Sequence, residues 1–342
     1  MHSAAPAPQP AAAFAANPPA HSPTLINPRA VRAGTASLPL ALPAELQFVS
    51  SSGPRLALYV SIPRDRRIGH EQPPLLLVHS VNAAGSSAEV RPIVEHYVGR
   101  RPVIALDLPG FGQSERGALD YSPAMMKDAI LRAARHVQGF GFGPALDVMA
   151  VSLACEFTAL AALERPQWFR SVALVSPTGL ESTRPAAYVA SRTAEKRWLR
   201  GLLETPLWSQ ALYRALTSRA LIGYFLRRTW GSIAIDKQLL EYDLVSACQP
   251  GARHAPLAFL SGALFTPGIA KVYSRMQQPV WIAHGERGEF SRFDGLPRLR
   301  AADKWVIDVF GTGALPYFEV PSLFASRYDS FLARIAATSI SR

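Results

Sequence analysis

Cysteine is nearly absent from this chain: 342 residues contain two, Cys155 and Cys248. That excludes a disulfide framework and fits a reducing, cytoplasmic setting. No uninterrupted apolar run approaches the ~18–20 residues that a membrane-crossing helix needs, so no integral membrane segment is expected. Acidic residues are few, 25 against 36 Lys and Arg, leaving a net charge of +11. Such an excess raises nucleic acid and anionic lipid as partners. The basic residues are spread, however, and no zinc-ligand spacing or RNA-binding motif accompanies them. Nucleic-acid binding is not expected. There is no Walker loop and no Gly-x-Gly-x-x-Gly after a strand, so no cofactor is expected, and no metal.

Proline, by contrast, is abundant and concentrated at the start. Residues 1–42 are dominated by Ala and Pro, and proline this dense blocks helix and sheet alike, so a disordered arm is expected there. A secretory signal would need a basic region followed by an unbroken apolar stretch, and neither is present. The lack of acids before Glu45, with Arg29 and Arg32, leaves an organelle transit peptide open, although the prolines disfavour its amphipathic helix. A hydrophobic content of 49% with 18% charged residues is ordinary for a soluble globular protein. The length suits one large domain carrying an insertion, or two domains.

After the arm, strand and helix patterns alternate. ELQFVS and LALYVSI read as two strands joined by SSGP. PPLLLVHS, RPVIALDL, ALDVMAV and SVALVSP are short continuous apolar runs, the mark of strands buried on both faces. Between them, AEVRPIVEHY reads as a helix capped by Ser86 or Ser87, and PAMMKDAILRAARHV as one with Ser122 as N-cap and Pro123 at its first position. Residues 181–276 have a helical texture rich in Trp, Tyr, Leu and Arg. PVWIAHG, KWVIDVF and a final helix then resume the alternation. The expectation is an α/β core over 43–180 and 277–342, a mostly parallel eight-stranded sheet covered by helices on both faces, with an inserted helical cap.

One stretch carries chemistry. In DVMAVSLACEF, a strand runs into Ala-x-Ser-x-Ala and then a helix, the geometry that raises a serine as a nucleophile. Five further segments fall in a matching order: LLLVHSVNAAGS, ALDLPGFGQSER, SVALVSPTGL, PVWIAHGERG and FGTGALPYFEVP. Together they resemble the α/β-hydrolase superfamily from about Glu45 onward. The resemblance implies that Ser152 is the nucleophile and that Ala150 and Ala154 are small to allow close strand–helix approach. It also implies an oxyanion hole made by the N–H of Leu153 and that of Val81 or Asn82.

The pattern breaks at the other two members of the triad. The superfamily's acid position, separated from His-Gly by two residues, is Gly288, and its histidine position is Ala314. Glu286, Glu289 and Asp294 lie on the acid's loop, with Glu289 or Asp294 preferred and Glu181 an alternative. For the base, His254 in the cap is the first candidate; His79 and His284 are expected to be structural. Two functions follow. One is a serine hydrolase acting on an ester or related acyl compound with an apolar moiety. The other is a degenerate hydrolase that binds such a small-molecule ligand or regulates. The cap's Arg-rich helical stretch reads as packing over the sheet, with a sharper alternative of peripheral contact with anionic lipid. Substrate and oligomeric state are not readable.

Overall fold

The computed structural model describes residues 37–65, 72–180, 206–288, 293 and 305–340. Eight strands form one sheet in the order β1-β2-β4-β3-β5-β6-β7-β8: β1 Glu45–Val49, β2 Leu56–Ser61, β3 Leu75–Val78, β4 Val103–Asp107, β5 Leu146–Val151, β6 Phe169–Val175, β7 Val280–Gly285 and β8 Trp305–Phe310. The first pairings, β1 with β2 and β2 with β4, are antiparallel. All others are parallel, so the C-terminal ends of β3 to β8 share one edge.

The apolar runs are continuous because both faces are covered. In β5, Val148 and Ala150 enter one core cluster while Met149 and Val151 enter the other, as the two-residue period of a strand requires. Helices α1 (Arg91–Tyr97), α2 (Pro123–Gln138) and α3 (Ala154–Glu164) connect the central strands. Ser86 and Ser122 cap as their positions imply: Ser86 Oγ accepts from Ala88 N and Ser122 Oγ from Met125 N, with Pro123 opening α2. Between β6 and β7 stand the cap helices α4 (Pro206–Leu216), α5 (Arg219–Trp230), α6 (Lys237–Ala247), α7 (His254–Leu260) and α8 (Ile269–Ser274). A short turn of helix, α9 (Pro316–Glu319), leads into α10 (Pro321–Ile340).

A buried charge cluster fixes the strand that carries Ser152. Asp147, in β5, is fully enclosed and accepts from Arg101 at 2.5 Å, Arg170 Nε at 2.9 Å and Ser171 Oγ at 2.6 Å. Burial pushes its carboxyl upward, but the two guanidiniums outweigh that and hold it below its ordinary value. The cluster ties β5 to the approach to β4 and to β6.

The expected arm ends earlier than its composition implies. Residues 1–36 lie outside the described residues, but Leu38, Ala41 and Leu42 are buried. Tyr59 Oη lies 3.1 Å from Ala41 N, and Tyr242 of α6 donates to Pro39 O at 3.1 Å. Prolines that deny this segment a helix leave its carbonyls free to serve as acceptors, and it becomes a strap between sheet and cap. Among the described residues, no helix is long and apolar enough to cross a membrane.

Candidate active site

Ser152 stands at the end of β5 with φ +54°, a left-handed conformation that costs a non-glycine residue about 1–3 kcal/mol. Its N–H is held by Val175 O at 2.8 Å, and Cys155 N returns to Ser152 O at 3.0 Å as α3 begins. Ala150 and Ala154 are wholly buried, as a tight strand–helix crossing requires. The Ser152 side chain is half-exposed at the sheet edge that the cap follows. Among the described residues its Oγ has no hydrogen-bond partner.

The loop after β3 is built on a buried carboxylate. Glu89 accepts from Ser80 N at 2.8 Å and from Ser80 Oγ at 2.9 Å, and takes the Asn82 side-chain amide as well. Asn82 Oδ1 in turn accepts from Ala84 N at 2.8 Å. Asn82 therefore contributes its backbone, not its side chain, to anything above it. Among the described residues, the N–H groups of Val81, Asn82 and Leu153 have no acceptor, although Val81 and Leu153 are buried. Buried N–H groups seldom go unpaired in a native fold.

Asp107 locks the neighbouring turn. Its carboxylate accepts from Ser87 N and Gln113 N, both at 2.7 Å. Ser114 Oγ donates to its carbonyl at 2.5 Å. A Cβ on Gly112 would lie about 2.0 Å from the Asp107 carboxylate, so the Asp-x-Pro-Gly-x-Gly-x-Ser run is a packing requirement.

The histidines divide as follows. His79 is fully buried; its Nε2 accepts from Leu108 N at 3.1 Å, so Nδ1 carries the proton and donates to Ser80 O at 2.6 Å. Both nitrogens are consumed. His284 Nδ1 lies 3.0 Å from Gly285 O, the ring packs on Phe293 with centroids 4.1 Å apart, and burial lowers its pKa. His254 opens α7 and is half-buried, and its neighbour Ala255 packs directly on Gly110 of the turn after β4. Glu289, Asp294 and Glu181 lie outside the described residues.

Gly288 and Ala314 both lie against the cap. The C-terminal end of α5 sits on both. Ala314 N donates to Thr229 O at 2.8 Å. A Cβ at Gly288, where φ is +91°, would lie 2.6 Å from Arg228 O; one at Gly313 would lie 2.4 Å from Trp230 O. Gly231, past the helix end at φ +56°, has room only for hydrogen beside Gly288 N. Behind this seam, Ser176, itself left-handed at φ +47°, donates to Ala314 O at 2.6 Å. Glu319 accepts from Gly313 N at 2.7 Å and pairs with Arg287.

Sequence reasoning missed Glu89, Asp243 and Ser176. Asp243 on α6 is buried, its Oδ1 lacks a partner, and its carboxyl is pushed well up by burial, then by Glu89 and Asp236. Arg91 pairs with Asp236 at 2.8 Å, not with Asp243. The available signal was an acid four residues from Leu239, on the helix face that packs inward.

The fold is the α/β-hydrolase fold. The chain matches the family model described as alpha/beta hydrolase fold over residues 73–235. Similar solved structures include a membrane phospholipase A, a bacterial virulence factor, with TM-score 0.66 and 18% identity over 90% of this chain and 92% of that one. A putative lipase from Acinetobacter baumannii gives 0.64 and 20% over 86% and 92%. Cfl2 from Burkholderia cenocepacia gives 0.64 and 19% over 84% and 95%. No curated protein sequence matches.

Two outcomes test these assignments. Gly288→Asp with Ala314→His should lower stability by about 2 kcal/mol or more, through backbone strain and overpacking at the seam. Urea denaturation reads this, and unchanged stability would show that the helix end is not seated there. Asp243 has a folded-state pKa above its ordinary value near 3.8, so the folded chain binds the extra proton. Its cost is least below about pH 4 and grows as pH rises toward the folded value. Asp243→Asn should therefore melt higher than wild type at pH 7, with the gap closing at pH 4; a constant gap would refute the assignment.

Proposed function

We propose that this chain is a serine hydrolase acting on an ester or related acyl compound with an apolar moiety. The observation that carries the reading is Ser152: its left-handed backbone is retained at a cost, and among the described residues neither its hydroxyl nor the adjoining Leu153 N–H has a hydrogen-bond partner. Strain kept at an exposed nucleophile argues for use. The chemistry follows from these positions. His254 removes the hydroxyl proton as Oγ attacks the acyl carbon. The oxyanion is held by Leu153 N–H and by Val81 or Asn82 N–H. Collapse expels the alcohol, which takes its proton from His254, and water then releases the acid by the same steps. Asp294 or Glu289 orients the base. That two structural neighbours are named as a phospholipase and a lipase favours an apolar acyl chain as the ligand. The two cysteines, one buried and both unpaired, suit a cytoplasmic setting.

A second reading is favoured by the seam at Gly288 and Ala314. With the usual base and acid positions closed by α5, the chain is a degenerate hydrolase that holds its ligand without efficient turnover. Losing a triad base leaves only the ~10³–10⁴-fold acceleration supplied by binding and the oxyanion hole.

A fluorophosphonate probe separates the two, because it labels only an activated serine. The hydrolase predicts labelling of wild type, none in Ser152→Ala, and strong loss in His254→Ala. Absence of wild-type labelling selects the degenerate reading; labelling that survives His254→Ala moves the base elsewhere.

A further inference from the structure

Residues 206–235 hold Arg214, Arg219, Arg227 and Arg228 and no Asp or Glu. The structure sorts this stretch by face. On α5, Ile222, Gly223 and Trp230 turn inward and are buried, and the helix end forms the seam against Gly288 and Ala314. The opposite face leaves Tyr224 and Phe225 exposed, their rings edge-on with centroids 5.5 Å apart. Arg228 lies over the Tyr224 ring at 5.2 Å. In the turn that follows, Ile233 is 88% exposed, the most of any large apolar side chain among the described residues. Arg214 on α4 and Arg227 on α5 are also exposed, as is Lys237, which opens α6. Arg219 is matched by Glu241 at 2.6 Å and so adds little net charge.

We propose that the outward face of α5, with the Ile233 turn, docks on an anionic membrane surface. Aromatic rings flanked by arginines suit the headgroup level, where ring bodies bury and cations meet lipid phosphates. An aliphatic side chain left almost wholly in water has a favourable place below that level. Charge complementarity selects the partner: a stretch of cations without an acid is poorly suited to a mixed-charge protein surface. The helix that would lie on the bilayer is the one seated on the triad positions, so a docked cap would present the Ser152 edge close to lipid. The proposal does not depend on turnover, and its test reads binding alone.

The test is co-sedimentation of the full chain with phosphatidylglycerol–phosphatidylcholine vesicles and with phosphatidylcholine alone. The expected result is binding to the anionic vesicles, weakened about tenfold or more without the anionic lipid and by raised salt. Tyr224→Ser/Phe225→Ser/Ile233→Ser and, separately, Arg214→Gln/Arg227→Gln should each weaken it about tenfold, with circular dichroism and melting unchanged. Failure to bind anionic vesicles overturns the proposal. So does binding untouched by both variants, which would place the contact elsewhere on this basic chain. Self-association that the apolar variant abolishes, without vesicle binding, would assign the face to a second copy.

Discussion

The close approach of one cap helix to two core loops constrains this molecule most. Where α5 ends, its last carbonyls and Gly231 lie against Gly288 and Gly313 with so little space that a single Cβ would collide with backbone, and Thr229 O accepts from Ala314 N. Backbone-to-backbone contact of this kind admits only the smallest residues. Glycine at 231, 288 and 313 is therefore a packing requirement of this seam. The cap gains a firm seat, reinforced by Trp230, which is buried and packs against Phe318 at 5.2 Å.

The loops beside the Ser152 turn are firmly built. Two buried carboxylates do most of this work: Glu89 organises the loop after β3, and Asp107 organises the turn after β4. Each takes hydrogen bonds from backbone N–H groups, a strong class of contact for a charged acceptor. Charge placed this deep is unfavourable without such partners. Asp243 shows the contrast: it meets Glu89 from the cap with one oxygen unpaired, and its carboxyl is driven toward the neutral form. The cap rests on the loop where Tyr213 Oη donates to Ala83 O at 3.0 Å.

The fold was legible because strands buried on both faces leave unmistakable apolar runs, and because Ser122-Pro123 and Asp107-x-Pro-Gly-x-Gly-x-Ser encode their own local geometry. The left-handed turn at Ser152 was legible for the same reason. What could not be read is tertiary. Nothing around Ala314 in the sequence signals that Thr229 O accepts from its amide. Ser176 resembles any serine at a strand end, yet it holds the Ala314 carbonyl. Asp243 appears in sequence as a polar residue on an amphipathic helix, and only packing places it against Glu89. Residues 37–42 share the arm's composition, and only their burial under Tyr59 and Tyr242 separates them from it.

The central proposal is that Ser152 is a nucleophile served by a base on the cap. Mass spectrometry of the intact protein after brief mixing with p-nitrophenyl octanoate tests it most directly. The account predicts one octanoyl group, mapped to the peptide containing Ser152, formed quickly in wild type and far more slowly in His254→Asn. No adduct, or one carried by Cys248, would contradict it.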